Sequence, residues 1–217
     1  MIEAVPRILF ITDIDGTLLD SKAAIGHATS RTIEKFSGKK LPPENFFPNI
    51  GIPINAILED YLEENWVDEA VKYYREVLVA EGPELTSVMD GARQVLEDFK
   101  SFGVIICAAS NKVSHLAEKV LAQQNVLEFF DGIYGSDKHA PKPNPYMIQH
   151  AMQDFPADLT LMFGDRPEDV ISGNLAGATT VFLSGEFDHL LQEESKPVHC
   201  IGHWRELLEL EPLKRVR

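Results

Sequence analysis

The chain has 217 residues, 44% of them hydrophobic and 25% charged, which suits one globular domain with an insert or two small domains. Its net charge of −14 comes without any basic stripe, since Lys39-Lys40 and Lys214-Arg215 are too short, and this excludes a nucleic-acid or anionic-membrane surface. No apolar stretch approaches the ~20 residues that span a bilayer, and no secretory signal pattern is visible, so a soluble, cytoplasmic protein is expected.

Residues 8–12 read as a short buried strand, and they run directly into Asp13-Ile14-Asp15-Gly16-Thr17. In extended backbone the two carboxylates of Asp13 and Asp15 project to the same side. Like charges that close need a cation between them or a shared proton. Such a pair can bind a divalent metal, with one carboxylate acting as nucleophile and the other as acid/base.

From about 21 to 86 no strand pattern is visible, only helical periodicity, with helices expected around 25–38, 53–64 and 67–80. Gly82-Pro83 closes this section and Asp90-Gly91 is expected to cap a new helix. A helical insert at this place reads as a cap over the site, giving a core of 1–20 and 87–217 and a cap of 21–86.

After the insert, apolar runs at 104–109, 132–135, 159–163, 179–183 and 198–201 alternate with helical patterns beginning near Asp90, Lys112, Asn144, Glu168 and His203. That alternation predicts an α/β fold with a parallel sheet flanked by helices, with its site at the carboxyl ends of the strands. Cys107 and Cys200 fall in strand-like runs and are expected as buried thiols.

Three further polar motifs follow strands. Ser110-Asn111-Lys112 offers a hydroxyl and backbone N–H groups at a strand–helix junction, a cradle for an oxyanion or simply a helix cap. Pro141-Lys142-Pro143-Asn144-Pro145 holds a lysine in stiff backbone, where it can neutralise a phosphate or a carboxylate. Gly164-Asp165-Arg166-Pro167-Glu168-Asp169 supplies hard oxygen ligands suited to Mg²⁺, with Asp169 at a helix start.

Taken in order, DxDGT, Ser, Lys and GDxxxD make the chain resemble the haloacid dehalogenase superfamily over nearly its whole length, in the subclass with small helical caps. The resemblance implies a Rossmann-like core and a Mg²⁺ cofactor. It implies Asp13 as the nucleophile that forms an aspartyl-phosphate and Asp15 as the acid/base. Ser110, the Asn111 backbone, Gly16 and Lys142 would hold the phosphate. Metal ligands would be Asp13, the Asp15 carbonyl and Asp165, with Asp169 and Glu168 in support. Asp15 argues for phosphate ester chemistry, since dehalogenases and phosphonatases of this superfamily lack the second aspartate.

The reading is therefore a phosphatase of the phosphoglycolate phosphatase type acting on a small phosphorylated metabolite, as a monomer or homodimer. The alternatives are a phosphomutase of the β-phosphoglucomutase type and a non-catalytic ligand-binding homologue. Substrate choice is expected to rest on the loop 46–53, with Asn49 and Gly51 as its candidates and Phe46 and Phe47 as packing residues. Arg31, Arg75 and His27 are further groups able to reach a substrate carboxylate or hydroxyl, or else solvated helix residues.

Overall fold

A computed structural model describes residues 6–214; residues 1–5 and 215–217 of the expected core, Arg215 among them, lie outside the described residues. In chain order the elements are β1 (Ile8–Thr12), β2 (Leu19–Asp20), α1 (Lys22–Ser37), α2 (Ile54–Glu59), α3 (Glu64–Glu81), β3 (Ser87–Val88), α4 (Ala92–Ser101) and β4 (Ile105–Ser110). There follow α5 (Ser114–Gln123), β5 (Gly132–Gly135), α6 (Tyr146–Asp154), β6 (Leu159–Gly164), α7 (Pro167–Ala176), β7 (Thr179–Leu183) and β8 (His199–Ile201).

Six strands form one parallel sheet in the order β5-β4-β1-β6-β7-β8. Every residue of β1 is buried, which is why its sequence is an unbroken apolar run rather than an alternating one. The two-residue period of the strand sends its side chains to opposite faces. Ile8 and Phe10 join the cluster holding Phe99, Phe163 and Trp204, where the Phe10 and Phe99 rings meet edge-on at 5.0 Å. Leu9 and Ile11 join Met147, Ile148 and Ala151 of α6 on the other face. With β1 central, the carboxyl ends of β1, β4 and β6 lie side by side and bring Asp13, Ser110 and Asp165 together.

Between β2 and β3 the chain is helical, as expected, and the antiparallel pairing Leu19–Val88 and Asp20–Ser87 ties its two ends together. Two-residue strands are too short to leave a periodic signal, so this stem was not foreseen. A 3₁₀ stretch at Pro43–Asn49 and a small apolar cluster of Ile33, Phe46, Ile57, Leu58 and Ala70 fill the insert. Ala24, Ile25, Ala28, Ile50, Tyr74, Val77 and Leu78 carry the large sheet cluster into it.

Several expectations shift. The middle helix, expected over 53–64, stops at Glu59 and gives way to a turn before α3. The helices expected over 25–38 and 67–80 each start three residues earlier, at Lys22 and Glu64, other strand and helix ends move by one or two residues, and the expected last helix is a 3₁₀ stretch, Trp204–Glu209. Asp90 does not cap α4: its carboxylate lies 3.1 Å from His203 Nε2, and Gly91, at φ +77°, starts the helix. Cys107 is buried, but Cys200 is exposed, because β8 is an edge strand with one neighbour and its middle residue faces out. Among the described residues no helix is long and apolar enough to cross a membrane.

Candidate active site

Asp13 leaves β1 with its backbone N–H still bonded to the Phe163 carbonyl at 2.9 Å, so the sheet itself fixes the first carboxylate. The chain then turns at Gly16, whose φ is +90°, a conformation that favours glycine. A Cβ there would stand 2.4 Å from Asp165 Oδ2. Gly16 is therefore the residue that lets the Asp165 carboxylate close onto this loop; it does not line the cavity described below. Thr17 completes the turn: its hydroxyl donates to Asp165 Oδ1 at 2.7 Å, and its carbonyl accepts from the buried Trp204 indole at 2.8 Å.

Lys142 is the electrostatic centre. Its side chain is 3% exposed and its ammonium donates to Asp13 Oδ1 at 2.6 Å and to the Ala109 carbonyl at 2.7 Å, with Asp169 Oδ1 also at 2.6 Å. Three acceptors satisfy its three donors. Burial pushes the Lys142 ammonium down, but the charges of Asp13 and Asp169 outweigh it and the net shift is upward. Lys142 is therefore a buried residue of the site and not a surface residue of its proline-rich turn.

Asp13, Asp165 and Asp169 bring one oxygen each within 4.8 Å of one another, all three buried. Burial raises Asp13 to about 7, opposed by Lys142 and reinforced by Asp169 and Asp15. Burial likewise raises Asp165 to about 8, with Asp169 and Asp13 adding to it. Three carboxylates and one ammonium leave an excess of negative charge that a cation would neutralise. An all-oxygen donor set of this kind fits a hard divalent ion such as Mg²⁺.

Asp169 occupies the third position of α7, where its Oδ2 accepts from the Arg166 N–H at 3.1 Å, and Pro167 starts the helix. One carboxylate thus both caps a helix and holds Lys142. Glu168 is not part of the acidic cluster; it pairs with Arg166 Nε at 3.2 Å.

Asp15 faces a different partner. Ser21 Oγ donates to its Oδ1 and Lys112 Nζ to its Oδ2, both at 2.7 Å. Lys112 is only 7% exposed on its side chain. Burial pushes its ammonium down, yet Asp15 and Tyr74 outweigh this and raise it. The lysine was visible in Ser110-Asn111-Lys112, but nothing local pointed to Asp15.

Ser110 Oγ accepts the Lys112 N–H at 3.2 Å and lines the cavity; it does not cap α5, which starts at Ser114 after Val113. The Asn111 side chain is a clamp: Nδ2 donates to the Gly51 carbonyl at 2.9 Å, and Oδ1 accepts the Lys142 N–H at 2.8 Å. Arg166 does the same from the other side, donating from Nη1 to the Ile50 carbonyl at 2.6 Å while its guanidinium lies 4.4 Å from the Phe187 ring centre. Gly51, at φ +89°, permits this approach, since a Cβ there would meet Arg166 Cδ at 2.6 Å. Sequence reasoning missed Arg166, although it stands inside the Gly164–Asp169 motif.

These groups surround a cavity of about 320 Å³ between sheet and insert. Asp13, Asp15, Ser110, Asn111, Lys142 and Asp169 line its floor, and Gly51, Asn55, Tyr74 and Arg75 are among the insert residues above. Asn49, an expected specificity residue, does not line it; the loop turns so that its carbonyl accepts the Ile52 N–H at 3.0 Å. Phe46 is buried in the insert's own cluster. His27 and Arg31 do not reach the site: both face Glu81, at 2.6 and 3.5 Å.

The family model described as haloacid dehalogenase-like hydrolase matches residues 8–183. A phosphoglycolate phosphatase of Aquifex aeolicus is 30% identical over 176 residues, 80% of this chain and 82% of its own. The pyrophosphatase PpaX of Bacillus velezensis is 26% identical over 91% of this chain and 97% of its own length. Among solved structures, a haloacid dehalogenase-like family hydrolase of Streptococcus pneumoniae superposes with a TM-score of 0.80 at 23% identity, covering 94% of this chain and 97% of that one.

Proposed function

The chain belongs to the haloacid dehalogenase-like hydrolase family, and we propose that it is a Mg²⁺-dependent phosphatase that hydrolyses a small phosphorylated metabolite through an aspartyl-phosphate on Asp13. The observation that carries this reading is the arrangement at Asp13. Its buried carboxylate is held by Lys142 on one side and shares an acidic cluster with Asp165 and Asp169, at the floor of a cavity of metabolite size.

Phosphoryl transfer needs positioning and charge neutralisation more than bond-making by the protein. Asp13, Asp165 and the Asp15 carbonyl would hold Mg²⁺, which when bound offsets negative charge around the transferring group. Lys142 orients Asp13 and favours its ionised form against the effect of burial, and it neutralises the incoming phosphate. Asp13 attacks phosphorus, and the bond from phosphorus to the ester oxygen breaks. Asp15 gives its proton to the leaving alkoxide. It then takes a proton from water, whose oxygen attacks phosphorus and releases inorganic phosphate from Asp13. The Ser110 hydroxyl and backbone N–H groups at the end of β4 hold the phosphoryl oxygens. The insert, 21–86, acts as the cap, and its loop 48–51 is fastened to the core by Asn111 and Arg166.

The phosphoglycolate phosphatase and pyrophosphatase names of relatives support a small, strongly anionic substrate. The test is phosphate release from a panel of 2-phosphoglycolate, pyrophosphate, sugar phosphates and nucleoside monophosphates, with Mg²⁺ and with EDTA. Metal-dependent release that is lost in Asp13→Asn supports the reading. Interconversion of sugar phosphates without phosphate release would replace it with a mutase.

A further inference from the structure

Four cationic side chains line the cavity: Arg75, Lys112, Lys142 and Arg166. Three are already committed. Lys142 is bound to Asp13 and Asp169, Lys112 to Asp15, and Arg166 to Glu168 and the Ile50 carbonyl. Arg75 is half-buried and, alone of the four, has neither an ion pair nor a hydrogen bond within the described residues. We infer that Arg75 is a specificity-determining residue that binds a second anionic group, a carboxylate or a second phosphate, on the leaving-group side of the substrate. This deepens the phosphatase reading above and rests on it.

The position of Arg75 on α3 supports this role. Asp68, Val71, Tyr74 and Arg75 recur at helical spacing, and all four line the cavity, so one face of α3 forms its wall. The two groups on that face nearest in kind to a partner do not occupy Arg75. Asp68 is exposed and two helical turns away, about 10 Å along the axis. Tyr74 is buried, and burial raises its phenol to about 12, so at neutral pH it carries no charge. The remaining insert groups on the cavity, Ile25 and six residues between Gly51 and Ile57, carry no charge.

Arginine is suited to the task. Its planar fork pairs bidentately with carboxylate or phosphate and keeps its charge at any working pH. In a chain of net charge −14, an unpaired cation facing the cavity supplies the local attraction that a doubly anionic substrate needs. The floor already provides for the first phosphate, through Lys142, Ser110 and the acidic cluster with its cation. A neutral leaving group would leave Arg75 unused, whereas a second anion held in the same cavity of about 320 Å³ meets it.

The experiment compares matched substrates on wild type, Arg75→Ala, Arg75→Lys and Asp68→Asn. The pair 2-phosphoglycolate and 2-hydroxyethyl phosphate differs only in the carboxylate; pyrophosphate and methyl phosphate differ in the second phosphate. In Arg75→Ala, kcat/KM for the anionic member of at least one pair is expected to fall by at least tenfold more than for its neutral partner, mainly through KM. Arg75→Lys should recover part of that loss, and Asp68→Asn should not reproduce it. Which pair responds tells carboxylate from phosphate. Equal losses within both pairs, or none, would overturn the assignment. If the wild type turns over nothing, the phosphatase reading fails instead. Calorimetric binding of 2-phosphoglycolate and pyrophosphate to wild type and Arg75→Ala then decides the Arg75 claim, unchanged affinity for both overturning it.

Discussion

Lys112 Nζ lies 2.7 Å from Asp15 Oδ2, with both side chains shielded from solvent. The pair sets the direction of the second carboxylate of the Asp13-Ile14-Asp15 motif. With Ser21 on the other oxygen, Asp15 has both of its oxygens occupied by core and stem residues. The acid/base proposed for the reaction is thus held in one orientation before any substrate arrives. Lys112→Met removes this hold, and kcat for phosphate release is expected to fall by about 100-fold, a size typical of a displaced catalytic group. Steady-state kinetics with Mg²⁺ at saturating substrate check it, and an unchanged kcat would show that the pair does not orient Asp15.

Lys142 stands between two buried carboxylates, so its removal is expected to cost stability as well as turnover. Lys142→Met leaves Asp13 and Asp169 facing each other without a cation, and breaking a buried pair typically costs about 3–5 kcal/mol. In EDTA the loss should be large at pH 8 and smaller at pH 5.5, where a carboxylate can take up a proton. Denaturant unfolding at the two pH values measures both.

The metal-free protein should lose stability as pH rises. Asp13 is raised to about 7 and Asp165 to about 8, chiefly by burial, from an ordinary aspartate value of 3.8. A carboxyl whose folded value exceeds its unfolded one binds its proton more tightly when folded. Its contribution is therefore most favourable at low pH and is lost between about pH 4 and about pH 8. Mg²⁺ should reverse this, so the rise in Tm on adding Mg²⁺ is expected to grow from pH 5.5 to pH 8.5. A metal increment that is flat or falls over that range would argue against the acidic cluster as the metal site.

Gly16 offers a test of the loop. Gly16→Ala must adopt a φ of +90° and place a methyl group 2.4 Å from Asp165 Oδ2. The backbone cost is about 1–2 kcal/mol, and the displaced Asp165 should weaken Mg²⁺ binding. Titrating activity against Mg²⁺ should give a higher half-saturation concentration than the wild type.

The order of the site was legible in the sequence because each motif directly follows its own strand or the loop after it. Asp13, Ser110 and Asp165 end three adjacent strands, and parallel topology alone brings such ends together. The contacts between motifs were not legible. Asp15 and Lys112 are 97 positions apart, and Arg166 reaches a carbonyl 116 positions away, so no local pattern announces either. The burial of Cys200 was misjudged because sequence does not say which strand ends the sheet. Asn49 is polar in sequence, whereas the loop's fit depends on the backbone of Ile50 and Gly51.

The central claim is that Asp13 carries the phosphoryl group. It is tested most directly by acid-quenching the enzyme during turnover with Mg²⁺ and its best substrate, then mapping phosphoryl adducts by mass spectrometry. The account predicts an adduct on Asp13 that is removed by hydroxylamine, together with loss of both adduct and turnover in Asp13→Asn. Turnover near the wild-type rate in Asp13→Asn, or a phosphoryl group trapped on another residue, would contradict it.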